Sequence, residues 1–249
     1  PAAQLFVESP TILLNENAAQ GNVKLKESDK VEALDDGSAN IILYESVVIK
    51  IDEGTSIVVE DLQKENLKVS QSGGAAWYTF TKLFGVENLE ASTSNSTASV
   101  RGTSFQLKDD KILVADGSVN YMSNGNQLNV NKGQVGERGA IRGLTSSEKG
   151  EIRIQLMNSV DSLVKLRKKI IEDNPFIIKI ATSIINSEIN TEYEGTSSEI
   201  ERVLAAIDSG DVSIEEIESR IPISIKPINK ILQLTKEIVR LKALILEYS

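Results

Sequence analysis

Cysteine and histidine are both absent from this 249-residue chain. Without them the protein can form no disulfide bond, no thiolate zinc site and no histidine-ligated haem. A cysteine nucleophile and a Ser-His-Asp triad are excluded for the same reason. The lack of cysteine does not fix the compartment, because a secreted bacterial or archaeal protein can do without disulfides. We therefore expect no metal, no cofactor and no residue of these catalytic types.

Aromatic residues are also scarce, at 4% of the chain, although hydrophobic residues make up 40%. The cores must therefore consist mainly of Ile, Leu and Val. Acidic residues outnumber basic residues by 36 to 27, which gives a formal net charge of -9. This balance argues against binding to nucleic acid and against electrostatic docking on an anionic membrane. No run of about 18 apolar residues is present that could span a bilayer.

The chain begins at Pro1 without a methionine and leads directly into a strand-like segment. We interpret this start as a processed or trimmed N-terminus, with removal of a signal peptide as one explanation.

From Leu5 to about Val135, short apolar runs alternate with polar or glycine-containing turns. Val47, Ile49 and Ile51, for example, share one face of a strand that ends at the turn Asp52-Glu53-Gly54. Turn signals recur roughly every 8–17 residues, which is typical of a sandwich, a barrel or a stacked-strand solenoid. No repeat of fixed period is visible. The N-terminal half is therefore predicted to be all-β, with these architectures left open.

The stretch Ala98–Tyr121 carries the clearest hairpin pattern. Thr103, Phe105 and Leu107 share one face, and Asp-Asp and Asp-Gly turns separate the strands that follow. Gly102 is predicted to adopt a positive φ or to allow a close approach of strands, and Gly117 to serve a turn. These residues are interpreted as scaffold residues.

Three further positions in this half are candidate sites. Trp77, the single tryptophan, is predicted to anchor a core, with a ligand platform as the alternative. Arg101 is predicted to pin a turn through a salt bridge or a carbonyl contact, with ligand binding as the alternative. Residues 91–98 are interpreted as a polar linker, in which Asn95 begins the sequon Asn-Ser-Thr and is a candidate glycosylation site.

Beyond about residue 150 the alternation stops and helical spacing takes over. Four longer helices are predicted: one that ends before Pro175, one containing Ile177, Ile180 and Ile184, one capped by Ser198 with Glu201, and a last one with Pro227 in its first turn. A short helix is predicted at Ile214 and Ile217, capped by Ser213 with Glu216. The cluster Arg167-Lys168-Lys169 is interpreted as solvated and as complementing the helix dipole.

The last predicted helix carries an apolar stripe at spacings of three and four residues, formed by Ile231, Leu234, Ile238, Leu241 and Ile245. Such a stripe packs inside a small helical bundle or docks on another subunit. Both interpretations are kept, and the second makes these residues candidates for association.

The N-terminal half contains five landmarks, which are Asp36–Ala39, Gly74–Tyr78, Val100–Phe105, Ala115–Val119 and Lys132–Gln134. In order and spacing, these landmarks resemble those of the FecR domain. The resemblance covers roughly residues 5–140 and implies an extracytoplasmic all-β module. FecR itself couples an outer-membrane transporter to a sigma factor through a membrane-spanning helix. This sequence shows neither a cytoplasmic anti-sigma segment nor a spanning helix.

The fold prediction is therefore a FecR-like β-domain, solenoid or sandwich, at residues 1–140, a linker at 141–150, and an all-α helical domain at 151–249. The leading functional hypothesis is a non-enzymatic surface or periplasmic structural protein that interacts with a protein partner, and that self-assembles into a filament or layer. Its predicted location is extracellular or on the cell surface, with the periplasm as the other option. The alternative is a periplasmic sensing module of FecR type.

A third hypothesis is a glycan hydrolase that uses two carboxylates roughly 5–10 Å apart. Glu45, Asp52 and Glu53 are candidates, although no motif selects a pair. The prediction is that the protein is not an enzyme.

Overall fold

The computed structural model describes residues 2–81, 83–176, 197–215, 219 and 225–249. The described residues form 18 β-strands followed by three α-helices. The chain divides into two compact units, Pro1–Gln155 and Leu156–Ser249. The predicted order, all-β and then all-α, is confirmed.

The strands are β1 (Ala3–Val7), β2 (Ile12–Leu14), β3 (Asn17–Ala18), β4 (Asn22–Leu25), β5 (Lys30–Ala33), β6 (Ser38–Leu43), β7 (Val47–Asp52), β8 (Ser56–Asp61), β9 (Leu67–Ser72), β10 (Ala76–Phe80), β11 (Leu89–Ser92), β12 (Ser96–Val100), β13 (Ser104–Lys108), β14 (Lys111–Asp116), β15 (Ser118–Ser123), β16 (Asn126–Asn131), β17 (Gln134–Glu137) and β18 (Ala140–Gly143). The helices are α1 (Ser146–Glu172), α2 (Ser197–Ser209) and α3 (Lys226–Glu247).

The strands form two nine-stranded sheets. Sheet A has the order β18-β17-β14-β13-β10-β7-β6-β1-β4, and sheet B has the order β16-β15-β12-β11-β9-β8-β5-β2-β3. Strand numbers rise almost steadily from one edge of each sheet to the other, so the chain passes back and forth between the sheets while it advances along them. This combines two of the three architectures that the turn spacing left open, a sandwich of two sheets and a progressive stacking of strands.

The core of the β-domain lies between the two sheets and is mainly aliphatic, as the composition predicts. Ile41, Ile49 and Ile57 are among its fully buried members. Four aromatic side chains, Tyr78, Phe80, Phe105 and Tyr121, belong to this core. The rings of Tyr78 and Phe105 stack with centroids 4.8 Å apart. Each fully buried large side chain contributes roughly 1.5–3 kcal/mol to folding relative to an exposed one.

Sheet A is buried on its outer face as well. Val48, Trp77 and Leu113 point away from the inter-sheet core, yet each is at most 3% exposed. The outer face of sheet B is polar instead, with side chains such as Asn120 and Asn129 in register on β15 and β16. This difference explains why strands of sheet A read as continuous apolar runs, whereas strands of sheet B alternate.

The prediction that residues 91–98 form a polar linker is wrong. These residues belong to β11, a turn and β12, and Ala91 pairs directly with Ala98. Both alanines are fully buried against the core, while serine and threonine occupy the alternate positions. The segment lacks large apolar residues because its inward positions are filled by small ones.

Residues of the segment predicted to be a linker, 141–150, are ordered into β18 and the first turn of α1. Helix α1 ends at Glu172, just before Asp173-Asn174-Pro175, as predicted. Helix α3 has its proline in the first turn, as expected for Pro227. The helix predicted around Ile177, Ile180 and Ile184 lies outside the described residues.

The remaining predictions for the helical half fall partly outside the described residues. Glu216 and Ile217 are outside them, and Ile214 is buried. Helix α2 contains Ser198 and Glu201, but the side chain of Ser198 is not described, so its capping role stays a prediction.

The prediction that Arg167 belongs to a solvated cluster is wrong. Its guanidinium donates two hydrogen bonds to Asp208, at 2.9 and 2.7 Å, and one to Thr235 at 2.9 Å. The side chains of Arg167 and Asp208 are only 5% and 7% exposed. Arg167 therefore ties α1 to α2 and α3 from the buried face of α1, while Lys168 is half exposed.

Candidate functional site at the junction of strand β18 and helix α1

The predicted scaffold residues Gly102, Thr103 and Gly117 meet at one corner of the β-domain. Gly102 and Gly117 have φ of 64° and 78°. A Cβ on Gly117 would lie 3.0 Å from the carbonyl oxygen of Gly102 and 3.0 Å from Oγ1 of Thr103. The Thr103 hydroxyl in turn donates to the carbonyl of Ser118 at 3.1 Å. The corner is therefore closed by backbone contacts.

The other candidates of the β-domain are separated from one another. Phe105 is fully buried in the inter-sheet core, whereas Trp77 lies on the outer face of sheet A and donates from Nε1 to the Thr79 hydroxyl at 3.1 Å. Arg101 is exposed between β12 and β13, and Asn95 is exposed between β11 and β12. The predicted roles of Arg101 and Asn95 stay predictions.

The apolar stripe of α3 is largely covered. Ile231, Leu234, Ile238 and Leu241 are at most 8% exposed, whereas Ile245 is half-buried. The role of these residues in association stays a prediction.

The most elaborate polar contacts of the first unit lie where β18 leads into α1, in residues that the sequence argument did not select. Glu148, in the first turn of α1, has a side chain only 9% exposed. Both of its carboxylate oxygens accept from Arg142 on β18, each at 2.8 Å. One of them also accepts from Nζ of Lys111 on β14, at 2.7 Å. We call Lys111, Arg142, Thr145 and Glu148 the Glu148 junction.

Thr145 and Glu148 form a reciprocal cap at the start of α1. The Glu148 carboxylate accepts from the backbone N–H of Thr145 at 2.9 Å, and the Thr145 hydroxyl accepts from the backbone N–H of Glu148 at 3.2 Å. This is a capping box, which satisfies backbone N–H groups that the first turn would otherwise leave unpaired. The spacing Thr-x-x-Glu was therefore the available signal.

The charges of the Glu148 junction are mutually stabilising. Hydrogen bonds from Arg142 lower the pKa of the Glu148 carboxyl well below its usual range, and bonds from Lys111 and Thr145 lower it further, against the opposing effect of burial. The hydrogen bond to Glu148 likewise raises the pKa of Arg142. Glu148 is therefore ionised at neutral pH.

A second contact holds the next turn of α1 on the outer face of sheet A. Gln106 of β13 donates to the Glu151 carboxylate at 2.6 Å, and the neighbouring Ile152 is fully buried. The strand-to-helix connection is thus fixed by ion pairs, a cap and apolar burial. Chemically the arrangement holds a helix in place.

The carboxylates proposed for a hydrolase lie at opposite ends of strand β7. Glu45 lies in the turn before β7, whereas Asp52 ends β7 and Glu53 follows it. Among the described residues, no group of three or more aspartates and glutamates is arranged to hold a metal ion. No described helix has the length and apolar character needed to cross a membrane.

Comparison with solved structures finds two crystal structures of a protein described as a candidate anti-sigma factor from Parabacteroides distasonis ATCC 8503, at 1.65 and 2.50 Å resolution. Each is 16% identical to this chain, with a TM-score of 0.40, over 47% of this chain. The match spans 59% of that protein's length. At this level of similarity we draw no functional argument from it.

No curated protein matches the sequence. Nothing in the comparisons supports a self-assembling filament. The family model described as "FecR protein" matches residues 29–136, which run from just before β5 to within β17 and include all five landmarks. The resemblance of the β-domain to the FecR domain is therefore confirmed for residues 29–136.

Proposed function

We propose that this chain is a non-enzymatic, extracytoplasmic sensing module of FecR type. In this proposal the β-domain binds a protein partner, and helix α1 transmits the event along the chain. The FecR domain supports the class of function. The Glu148 junction supports the transmitting role and is the observation on which the proposal depends.

A sensing module needs a connection that moves as one piece with the domain that receives the signal. A flexible linker would absorb any displacement of β18, because its dihedral angles would adjust at little cost. Here β18 carries Arg142 and α1 carries Glu148, and only Gly143–Thr145 separates the strand residue from the helix. A displacement of β18 or β14 must therefore either move the first turn of α1 or break the ion pairs of Glu148 with Arg142 and Lys111.

The experiment is deletion of the gene in the organism that encodes the chain, followed by complementation with wild-type or variant protein and sequencing of the transcripts. We expect deletion to change the levels of a defined set of transcripts and wild-type protein to restore those levels. We expect the E148A variant not to restore them, although the variant protein accumulates. E137Q is the matched control, because Glu137 contacts the same Arg142 from an exposed position, at 3.3 Å.

An unchanged transcript profile after deletion would remove the signalling role. Full restoration by E148A would keep the signalling role but remove the Glu148 junction from it.

A further inference from the structure

Three side chains that could react with one another converge on the outer face of sheet A. Asn40 on β6 and Lys50 on β7 are direct cross-strand partners. Glu8 follows β1 and reaches both, since one of its oxygens accepts from Nδ2 of Asn40 at 2.9 Å and the other accepts from Nζ of Lys50. The amide of Asn40 and the amine of Lys50 are therefore held side by side on a single carboxylate.

The position of the carboxylate is fixed from several sides. The backbone N–H of Glu8 donates to the carbonyl of Ser38 at 3.0 Å, and the Ser38 hydroxyl donates to the Glu8 carboxylate at 3.1 Å. Nζ of Lys50 also donates to the Ser38 hydroxyl. Asp52 lies farther from the amine, at 4.0 Å, and is exposed. The three reacting groups thus have a defined geometry.

The surroundings exclude much of the solvent. Asn40 is 3% exposed, and the side chain of Lys50 is 13% exposed. In the same row across the sheet, Phe6 pairs with Asn40 on one side and Trp77 pairs with Lys50 on the other.

We propose that Lys50 and Asn40 form an intramolecular amide cross-link, with Glu8 as the catalytic residue. Transfer of a proton from the Lys50 ammonium to the Glu8 carboxylate gives a neutral amine and a neutral acid. Nζ of Lys50 then attacks Cγ of Asn40, and Glu8 donates its proton to the amide oxygen.

Collapse of the adduct breaks the bond from Cγ to Nδ2. Nδ2 leaves as an ammonium ion, because it takes up one proton from Nζ and one from the oxygen. The products are one amide bond, an ammonium ion and the original Glu8 carboxylate. No oxidant, metal or cofactor is needed, and charge is conserved. The cross-link would join β6 to β7 in a chain that has no cysteine for a disulfide.

The test is the intact mass of the full chain, measured after denaturation, together with a map of its tryptic peptides. We expect a mass lower than the sequence mass by that of one ammonia molecule. We also expect a tryptic peptide of residues 31–64 that is not cleaved after Lys50 and that carries the same loss, in place of the separate peptides 31–50 and 51–64. A chain with the full sequence mass would overturn the proposal and leave Glu8 and Lys50 as an ordinary ion pair.

Variants separate this bond from other losses of ammonia. Cyclisation of Asn124-Gly125 would give the same mass, but it would persist in K50R, whereas the cross-link would not form there. N40D should lose one water molecule instead of ammonia, and E8Q should retain the full mass. Loss of ammonia in K50R or in E8Q would count against the proposed chemistry.

K68A is the matched control, because Lys68 pairs with Glu90 across β9 and β11 without an asparagine between them. It should keep the mass deficit of the wild-type chain. The measurement on wild-type protein decides the proposal even if a variant fails to fold.

Discussion

At the scale of single residues, Gly117 is a position where the backbone leaves no room for a side chain. Gly117 and Gly125 share a φ of 78°, but a Cβ on Gly125 would meet nothing within 4 Å. An L-residue in this region costs roughly 1–2 kcal/mol. We expect G125A to lower the free energy of unfolding by about that amount, and G117A by more, because its methyl group would press on Gly102 and Thr103. Urea denaturation measures both losses of unfolding free energy. Equal losses would show that Gly102 and Thr103 move aside to accommodate the methyl group at no cost.

Glu148 makes a prediction about pH. Its pKa is lower in the folded protein than the ordinary value of about 4.3. The stabilisation is therefore complete above that value and is lost as the pH falls below it. We expect E148Q to lose about 2 kcal/mol of unfolding free energy at pH ~7 and to show a flatter decline of stability between pH ~5 and ~2 than wild type.

E137Q is the control for this measurement, because Glu137 is 34% exposed. It should leave the acid limb of the stability curve nearly unchanged. Parallel acid limbs for wild type and E148Q would mean that Glu148 is not the group that titrates.

The residues that could be predicted from the sequence make contacts with residues near them in the chain. Most of those that were missed depend on contacts with distant residues. The positive φ of Gly102 follows from its own place in a turn and was predicted. The cap of Thr145 and Glu148 is also local, but it was missed because residues 141–150 were interpreted as a linker. Lys111 lies 37 positions from Glu148, and only the sheet order brings the two together.

At the scale of elements, the ion pair of Arg167 and Asp208 determines how α1, α2 and α3 hold together. Removing one member leaves a buried charge unpaired, which costs about 3–5 kcal/mol. We therefore expect R167A to lower the free energy of unfolding of the helical unit by that order. The double variant R167M/D208L should recover most of the loss, because apolar groups replace both charges.

The measurement is the loss of helical signal by circular dichroism during denaturation. K165A removes an exposed ion pair with Asp161 on the same helix and should have little effect. A double variant as unstable as R167A would show that the loss of stability comes from changed packing around the site and not from the unpaired charge.

Alternation predicts elements well only where large apolar residues mark the inward positions. It succeeded for β7, in which Val47, Ile49 and Ile51 face the core. It failed for residues 91–98 of β11 and β12, where alanine and serine fill those positions. In the helices, the pattern places the stripe of α3 but does not reveal that Arg167 faces inward, because its partner lies 41 residues away.

At the scale of the whole molecule, the first compact unit ends after the first turns of α1, at Gln155. A fragment of residues 1–155 keeps Glu148 and Ile152, whereas a fragment of residues 1–145 loses both. We expect the shorter fragment to unfold about 5 °C or more below the longer one in a thermal scan. Equal midpoints would mean that the start of α1 adds nothing to the β-domain, and would weaken the proposed transmitting role.

The steady rise of strand numbers along both sheets has a consequence for how the β-domain acquires its structure. Most strands pair with segments made shortly before or after them, so the entropy lost in closing each loop is small. In a partly synthesised chain, each new strand can therefore pair with strands that have already formed. We expect nascent polypeptides that stop after β10 to resist protease over their completed strands, because those strands are already paired and packed.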